Sequence, residues 1–170
     1  MRVTLLFVLL ILFSIAQISL RAVGINFPLL PILIFYAAYV YGGLFGFILA
    51  IPAAFFSDFC GGWSHPWSLT GYFLTASFAV FWLHRVESDS LLILAIPGFL
   101  LPVIGDLPQN ILVGGFSFHN ILTSFADALA NGVLGAFLFP FWIILLDFSG
   151  KRVGLKTYSE AKDRLREEKI

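Results

Sequence analysis

The sequence predicts an all-α, polytopic membrane helix bundle of about six transmembrane helices, followed by a short charged cytoplasmic helix. Three observations predict it. First, 59% of the 170 residues are hydrophobic and only 12% are charged, with a mean hydropathy of +0.95. A soluble domain carries about 25% charged residues, and a body of this size cannot hide so much apolar surface inside itself. Second, apolar runs approaching 20 residues recur, about the length that crosses a 30 Å hydrocarbon core. Third, the charge is lopsided. Ten Lys and Arg balance ten Asp and Glu, yet Lys151, Arg152, Lys156, Lys162, Arg164, Arg166 and Lys169 crowd the tail, leaving Arg2, Arg21 and Arg85 for the body. These facts exclude an ordinary soluble domain, a disordered chain and a disulfide scaffold. They also exclude a nucleic-acid binder, which would spread its bases over a folded surface. The lone Cys60 can form no internal disulfide. The chain divides into a bundle over 1–150 and a charged tail over 151–170.

The first span covers 3–20, between Arg2 and Arg21. It is longer than the 7–15 apolar residues of a signal peptide and lacks a small-residue cleavage site, so it reads as an uncleaved helix. The second runs over 27–41 after Asn26, with Pro28 suited to a first helical turn and Pro31 deeper. Gly42 and Gly43 mark a tight turn into the third span, 43–59. The stretch from Ser57 to Trp67 is polar, turn-prone and rich in Trp, as at a headgroup interface. The fourth span covers 68–83, and the hydrophilic loop 84–90 follows. The fifth starts at Leu91 and carries Pro97, Gly98, Pro102 and Gly105. Prolines this dense imply a kinked or broken helix, either a kinked span or a re-entrant piece over 97–115. A short interfacial helix over 118–125 precedes the last span, 127–148. Six spans with both termini cytoplasmic place the basic tail inside, as the positive-inside rule requires; cleavage of the first would leave five. The expected location is therefore a cytoplasmic membrane.

Gly42, Gly46, Ala50, Ala54 and Asp58 recur every four residues, nearly one stripe of a helix. In lipid, such small residues let another backbone approach closely. The stripe reads either as a contact within the chain or as a surface for another membrane protein. Ala128, Gly132 and Ala136 repeat the theme in the last span, beside Asp127, Asn131 and Gly135. Asn131 in lipid needs a hydrogen-bonding partner on another helix, and Asp127 reads as an N-cap. Asp58, Asp106 and Asp147 fall near helix ends, where a charge costs least; Asp147 is expected to pair with Lys151 and Arg152. The polar edge Ser14, Gln17 and Arg21 is expected to pack inside the bundle. Signals for enzymes are weak. His65, His84 and His119 are scattered, and no metal-ligand spacing occurs. Ser64 and His65 lack the glycine and remote base of a hydrolase turn, and sequence neighbours rarely face each other. No catalytic residue, metal or cofactor is expected. Broken helices suit a transporter, so a substrate-binding membrane subunit of a vitamin-type transporter is the alternative to a scaffold.

Three stretches carry a family resemblance. Pro31-Ile32-Leu33-Ile34 leads into Gly42-Gly43-Leu44-Phe45-Gly46-Phe47. Ser57-Asp58-Phe59-Cys60-Gly61-Gly62 is followed by His65-Pro66 and Gly71. Ala130-Asn131-Gly132-Val133-Leu134 precedes Pro140. Together they resemble the rod shape-determining MreD family of the bacterial inner membrane, over the chain as far as about Arg152. Pro52, within the third helix, and the long tail depart from the family pattern. The resemblance implies a non-enzymatic adaptor of the cell-elongation machinery that directs lateral peptidoglycan synthesis. The implied partners are an MreC-like protein, RodA, a penicillin-binding transpeptidase and the MreB filament. Asp58, Gly61, Gly62, His65, Pro66 and Asn131 are the pattern positions, none with a catalytic role. The small-residue stripes, with Asn131, are the expected docking surfaces. The tail 157–170 interleaves Glu160, Asp163 and Glu167 with its bases, a pattern that supports a solvated helix.

Overall fold

The computed structural model describes residues 2–23, 27–62, 64–85, 91–152, 157–158 and 160–161. Asn26, Trp63, the loop residues 86–90 and the tail residues Lys156, Lys162, Asp163, Arg164, Arg166, Glu167 and Lys169 lie outside them. The described residues form six helices and no strand: α1 (Arg2–Ala22), α2 (Leu29–Tyr41), α3 (Gly43–Cys60), α4 (Ser68–Arg85), α5 (Leu91–Gly114) and α6 (Phe118–Arg152). Consecutive helices pack against each other in antiparallel order. One end of the bundle, the tail end, holds Gly42, Arg85 and Arg152. The far end holds Arg21, Cys60 and Gly115.

Three of these helices are long and apolar enough to cross a membrane: α3, the 93–114 part of α5, and α6. Helix α1 contributes a shorter apolar stretch, Leu6–Ala22, and α2 is shorter still. At 13 residues, α2 is about 20 Å long. It is also the most sheathed element, with Leu29 through Val40 all buried, because it touches each of the other five helices. A helix that is apolar all round belongs in such a central position. Phe35 anchors the core, meeting Phe139 edge-on at 5.2 Å and Phe78 at 6.0 Å.

Two expectations about helix ends change. The proline-rich segment is one continuous helix, α5, running through Pro97, Pro102 and Pro108; it is not broken, and its length fits a single span. The short interfacial helix expected over 118–125 is the first part of α6, which runs unbroken for 35 residues through Pro140. Likewise α3 continues through Pro52.

Antiparallel α5 and α6 make the most extensive pairing in the molecule. The buried positions of α6 are Ser124, Ala128, Gly132, Gly135, Phe139, Ile143, Leu146 and Gly150. Their steps of four, four and three repeat every 11 residues, close to the natural period of an α-helix. One face of α6 therefore stays directed at the bundle, chiefly at α5, along its length.

Candidate functional site

The polar side chains of the bundle hold helix ends. Helix α2 starts inside the far end, where its first N–H groups have no intrahelical acceptor. Gln17 of α1 reaches across, and its Oε1 accepts from Leu30 N at 2.7 Å. Helix α4 has the same need. Asp58, at the end of α3, accepts from Ser68 N at 2.7 Å and from Ser68 Oγ at 2.5 Å. Both groups are buried, so each carboxylate oxygen faces a donor, and the negative charge faces the positive end of the α4 dipole. A carboxylate that would be costly in lipid is thus neutralised by a helix terminus of its own chain.

Asp58 accordingly faces inward and offers nothing to a partner. The rest of its stripe behaves alike. Gly46, Ala50 and Ala54 are buried, and a Cβ on Gly46 would strike Ala38 of α2. Gly42 forms the α2–α3 turn at φ 103°, a left-handed conformation that suits glycine. The α3 stripe is therefore a contact within the chain, not a docking surface.

In α6, Gly132 is buried, while Asn131 and Ala136 are half-buried. Gly132 lies against the Phe99 carbonyl, and Gly98 and Gly135 face each other reciprocally, each carbonyl against the other's Cα. Pro102 explains the match: it removes the N–H that would have bonded the Gly98 carbonyl. That carbonyl turns to the Gly135 Cα–H instead, a weak contact common between close helices. Gly71 and Gly105 make the equivalent approach between α4 and α5. The asparagine that bonds across the α5–α6 turn is Asn120, whose Nδ2 donates to Gly115 O at 2.8 Å. Asp127 is not an N-cap: it is exposed in the body of α6, and Ser117 Oγ accepts from Asn120 N at 3.2 Å instead.

Among the family-pattern positions, Gly61 caps α3 and Gly62 takes φ 84°. Ser64 and His65 are exposed and do face each other, with Oγ to Nδ1 at 2.8 Å. His65 also lies against the Trp67 ring at 5.8 Å, beside Pro66. Asp58, the carboxylate closest to this pair in sequence, is engaged by Ser68. Among the described residues no group of His, Cys, Asp and Glu is placed to hold a metal ion.

At the tail end the expected Asp147 ion pair gives way to a different arrangement. Asp147 Oδ1 accepts from Tyr36 OH at 2.9 Å and from Tyr158 N at 2.7 Å. Arg152 instead lies over the Phe148 ring at 4.4 Å. The Tyr158 ring stacks on Tyr39 at 4.0 Å, and Thr157 and Ala161 are buried. Thr157 and Glu160 cap each other, with Thr157 N to Glu160 Oε2 at 3.2 Å and Glu160 N to Thr157 Oγ1 at 3.3 Å. The Thr157-x-x-Glu160 spacing is a capping box, legible in the sequence but masked there by the charge pattern. The described start of the tail is therefore docked on the bundle, not solvated. Burial raises the Tyr158 phenol above its ordinary value, with the nearby Tyr39 adding to the shift.

Much of the exposed surface is apolar. Phe116 and Phe118, at the α5–α6 turn, are 80% and 83% exposed. Leu112, Ile121, Leu122 and Phe125 are exposed beside them. On α3, a wholly apolar groove of about 510 Å³ is lined by Ile51, Pro52, Phe55, Phe56, Phe59 and Cys60. No family model, curated protein or solved structure matches the chain.

Proposed function

We propose that this chain is a non-enzymatic scaffold of the bacterial inner membrane, crossing it six times with both termini cytoplasmic, and that it docks an MreC-like partner of the cell-elongation machinery. The sequence resemblance supports the family. The use of the polar residues supports the role: Gln17, Asp58 and Asp147 each hold elements of their own chain together.

The observation that carries the reading is the exposed α5–α6 turn. At 35 residues, α6 is about 52 Å long, against a hydrocarbon core of about 30 Å. With Lys151 at the inner headgroups, residues 118–127 extend beyond the outer boundary of that core, Phe118 by about 15 Å. Phe116 and Phe118 at the tip of the hairpin form an exposed apolar patch of the kind that marks a protein contact. These features favour a partner site on this hairpin over one on the buried α3 stripe. RodA, the transpeptidase and the MreB filament remain the wider set of proposed neighbours.

The test is co-purification of the full chain with an MreC-like protein in lipid nanodiscs. Joint Phe116→Ser and Phe118→Ser substitution should lower partner recovery at least ten-fold while the bundle's melting temperature holds. Undiminished recovery would move the site elsewhere. Failure of the unaltered chain to capture the partner, together with saturable stabilisation by a vitamin-like molecule, would replace the scaffold reading with the transporter one.

A further inference from the structure

Four polar atoms deep in the far half of the bundle have no hydrogen-bond partner among the described residues: Gln17 Nε2, Ser57 Oγ, Tyr72 OH and Thr75 Oγ1. Their residues are all at most 2% exposed. They come from α1, α3 and α4, and short contacts link them in part. Gln17 is tied to Leu30, next to Pro31. A Cβ on Gly105 would lie 3.8 Å from Pro31 Cγ and 3.4 Å from Thr75 Oγ1. Tyr72 and Ser57 are near enough to interact without reaching hydrogen-bond geometry, and Tyr72 lies within electrostatic reach of Arg21, Asp106 and Asp58. Arg21 and Asp106 are half-buried on the same half.

We propose that these groups form a hydration site, a polar pocket around the bare Cα of Gly105 that binds water. The chemistry selects water over a larger solute. Three hydroxyls that can donate or accept and one amide donor supply the two to four partners that a buried water needs. Gly105 leaves open only the space of a missing side chain. Gly71 seals the α4–α5 crossing, its Cα pressed on the Gly105 carbonyl. Asp58 is not part of the pocket, since Ser68 engages both its oxygens. Water bridging these groups ties α1 to α3 and α4 and adds to the Asp58–Ser68 bond between the latter two. This reading stands independently of the partner that the protein docks.

Hydroxyl-radical footprinting with mass spectrometry tests it on the full chain in nanodiscs, because radicals generated from bound water oxidise adjacent side chains. Tyr72 should be oxidised at least five-fold faster than Phe35 and Phe139, which are equally buried in apolar surroundings. Joint Ser57→Ala and Thr75→Val substitution should lower the Tyr72 rate at least three-fold with the melting temperature maintained. A Tyr72 rate equal to that of Phe35 in the unaltered chain overturns the proposal, whatever the variants do. So does a fast Tyr72 rate that the folded double variant leaves unchanged.

Discussion

At Asp58 a single carboxylate joins two helices, because its oxygens take the first N–H and the hydroxyl of Ser68. Asp58→Ala should cost about 1–3 kcal/mol, the range for stranding a buried donor; Asp58→Asn should cost less, keeping one acceptor but losing the charge. Unfolding by denaturing detergent measures both, and an Asp58→Ala variant as stable as the parent would remove the cap from the account. At the other end Tyr158 offers a pH handle. Its phenol is raised in the docked state, so the docked segment favours neutral tyrosine. That contribution is complete below about pH 10, the ordinary tyrosine value, and is lost as pH rises toward the docked value. Proteolytic release of the tail should therefore quicken above about pH 10 and be insensitive to pH between 6 and 9 in Tyr158→Phe and parent alike.

Helix α6 and its partner α5 owe their close approach to glycine at Gly98, Gly132 and Gly135, where a Cβ would press on the opposing backbone. Gly135→Leu must separate the helices, with an overpacking cost of about 1–3 kcal/mol. Gly46→Leu should likewise disturb the α2–α3 hairpin itself, through Ala38, and any loss of partner binding would follow from that. Gly115, at φ 80° with open space around it, should instead show only the smaller left-handed penalty of about 1–2 kcal/mol when changed to Ala. A thermal-unfolding series across these variants should therefore rank the helix-crossing glycines by packing and the turn glycine by backbone conformation. For the tail, Glu160→Ala removes one arm of the capping box, worth about 1 kcal/mol, and should speed tail proteolysis several-fold without lowering the bundle's own melting temperature.

The whole molecule is a central helix wrapped by five others, and that arrangement is why a 13-residue element needs no length of its own to lie within the layer. In the proposed six-span topology Cys60, exposed at the end of α3, lies on the outer side. A membrane-impermeant thiol reagent should therefore label Cys60 in intact cells and fail to label it in sealed inside-out vesicles. The reverse pattern would invert the topology and, with it, the placement of the docking hairpin.

The sequence by itself determined the class and the segments. Charge scarcity demanded an apolar solvent, and the helices follow the apolar runs because each run satisfies its own backbone only as a helix. It also placed Gln17 on a polar edge packed inside the bundle and Asp58 at a helix end. It did not reveal their partners, because Leu30 and Ser68 are ordinary residues until the folded chain brings their unpaired N–H groups within reach. The small-residue stripe was equally plain and equally mute, since spacing fixes the face of a helix but not what meets it; the tertiary structure puts α2 there. The prolines of α5 left a kinked and a broken helix equally open; the packed structure keeps the helix continuous, and at Pro102 it gives the unbonded Gly98 carbonyl the Gly135 Cα–H as a contact. Which apolar side chains remain uncovered, above all Phe116 and Phe118, was likewise decided by the fold, because in a chain this hydrophobic composition cannot distinguish a buried phenylalanine from an exposed one.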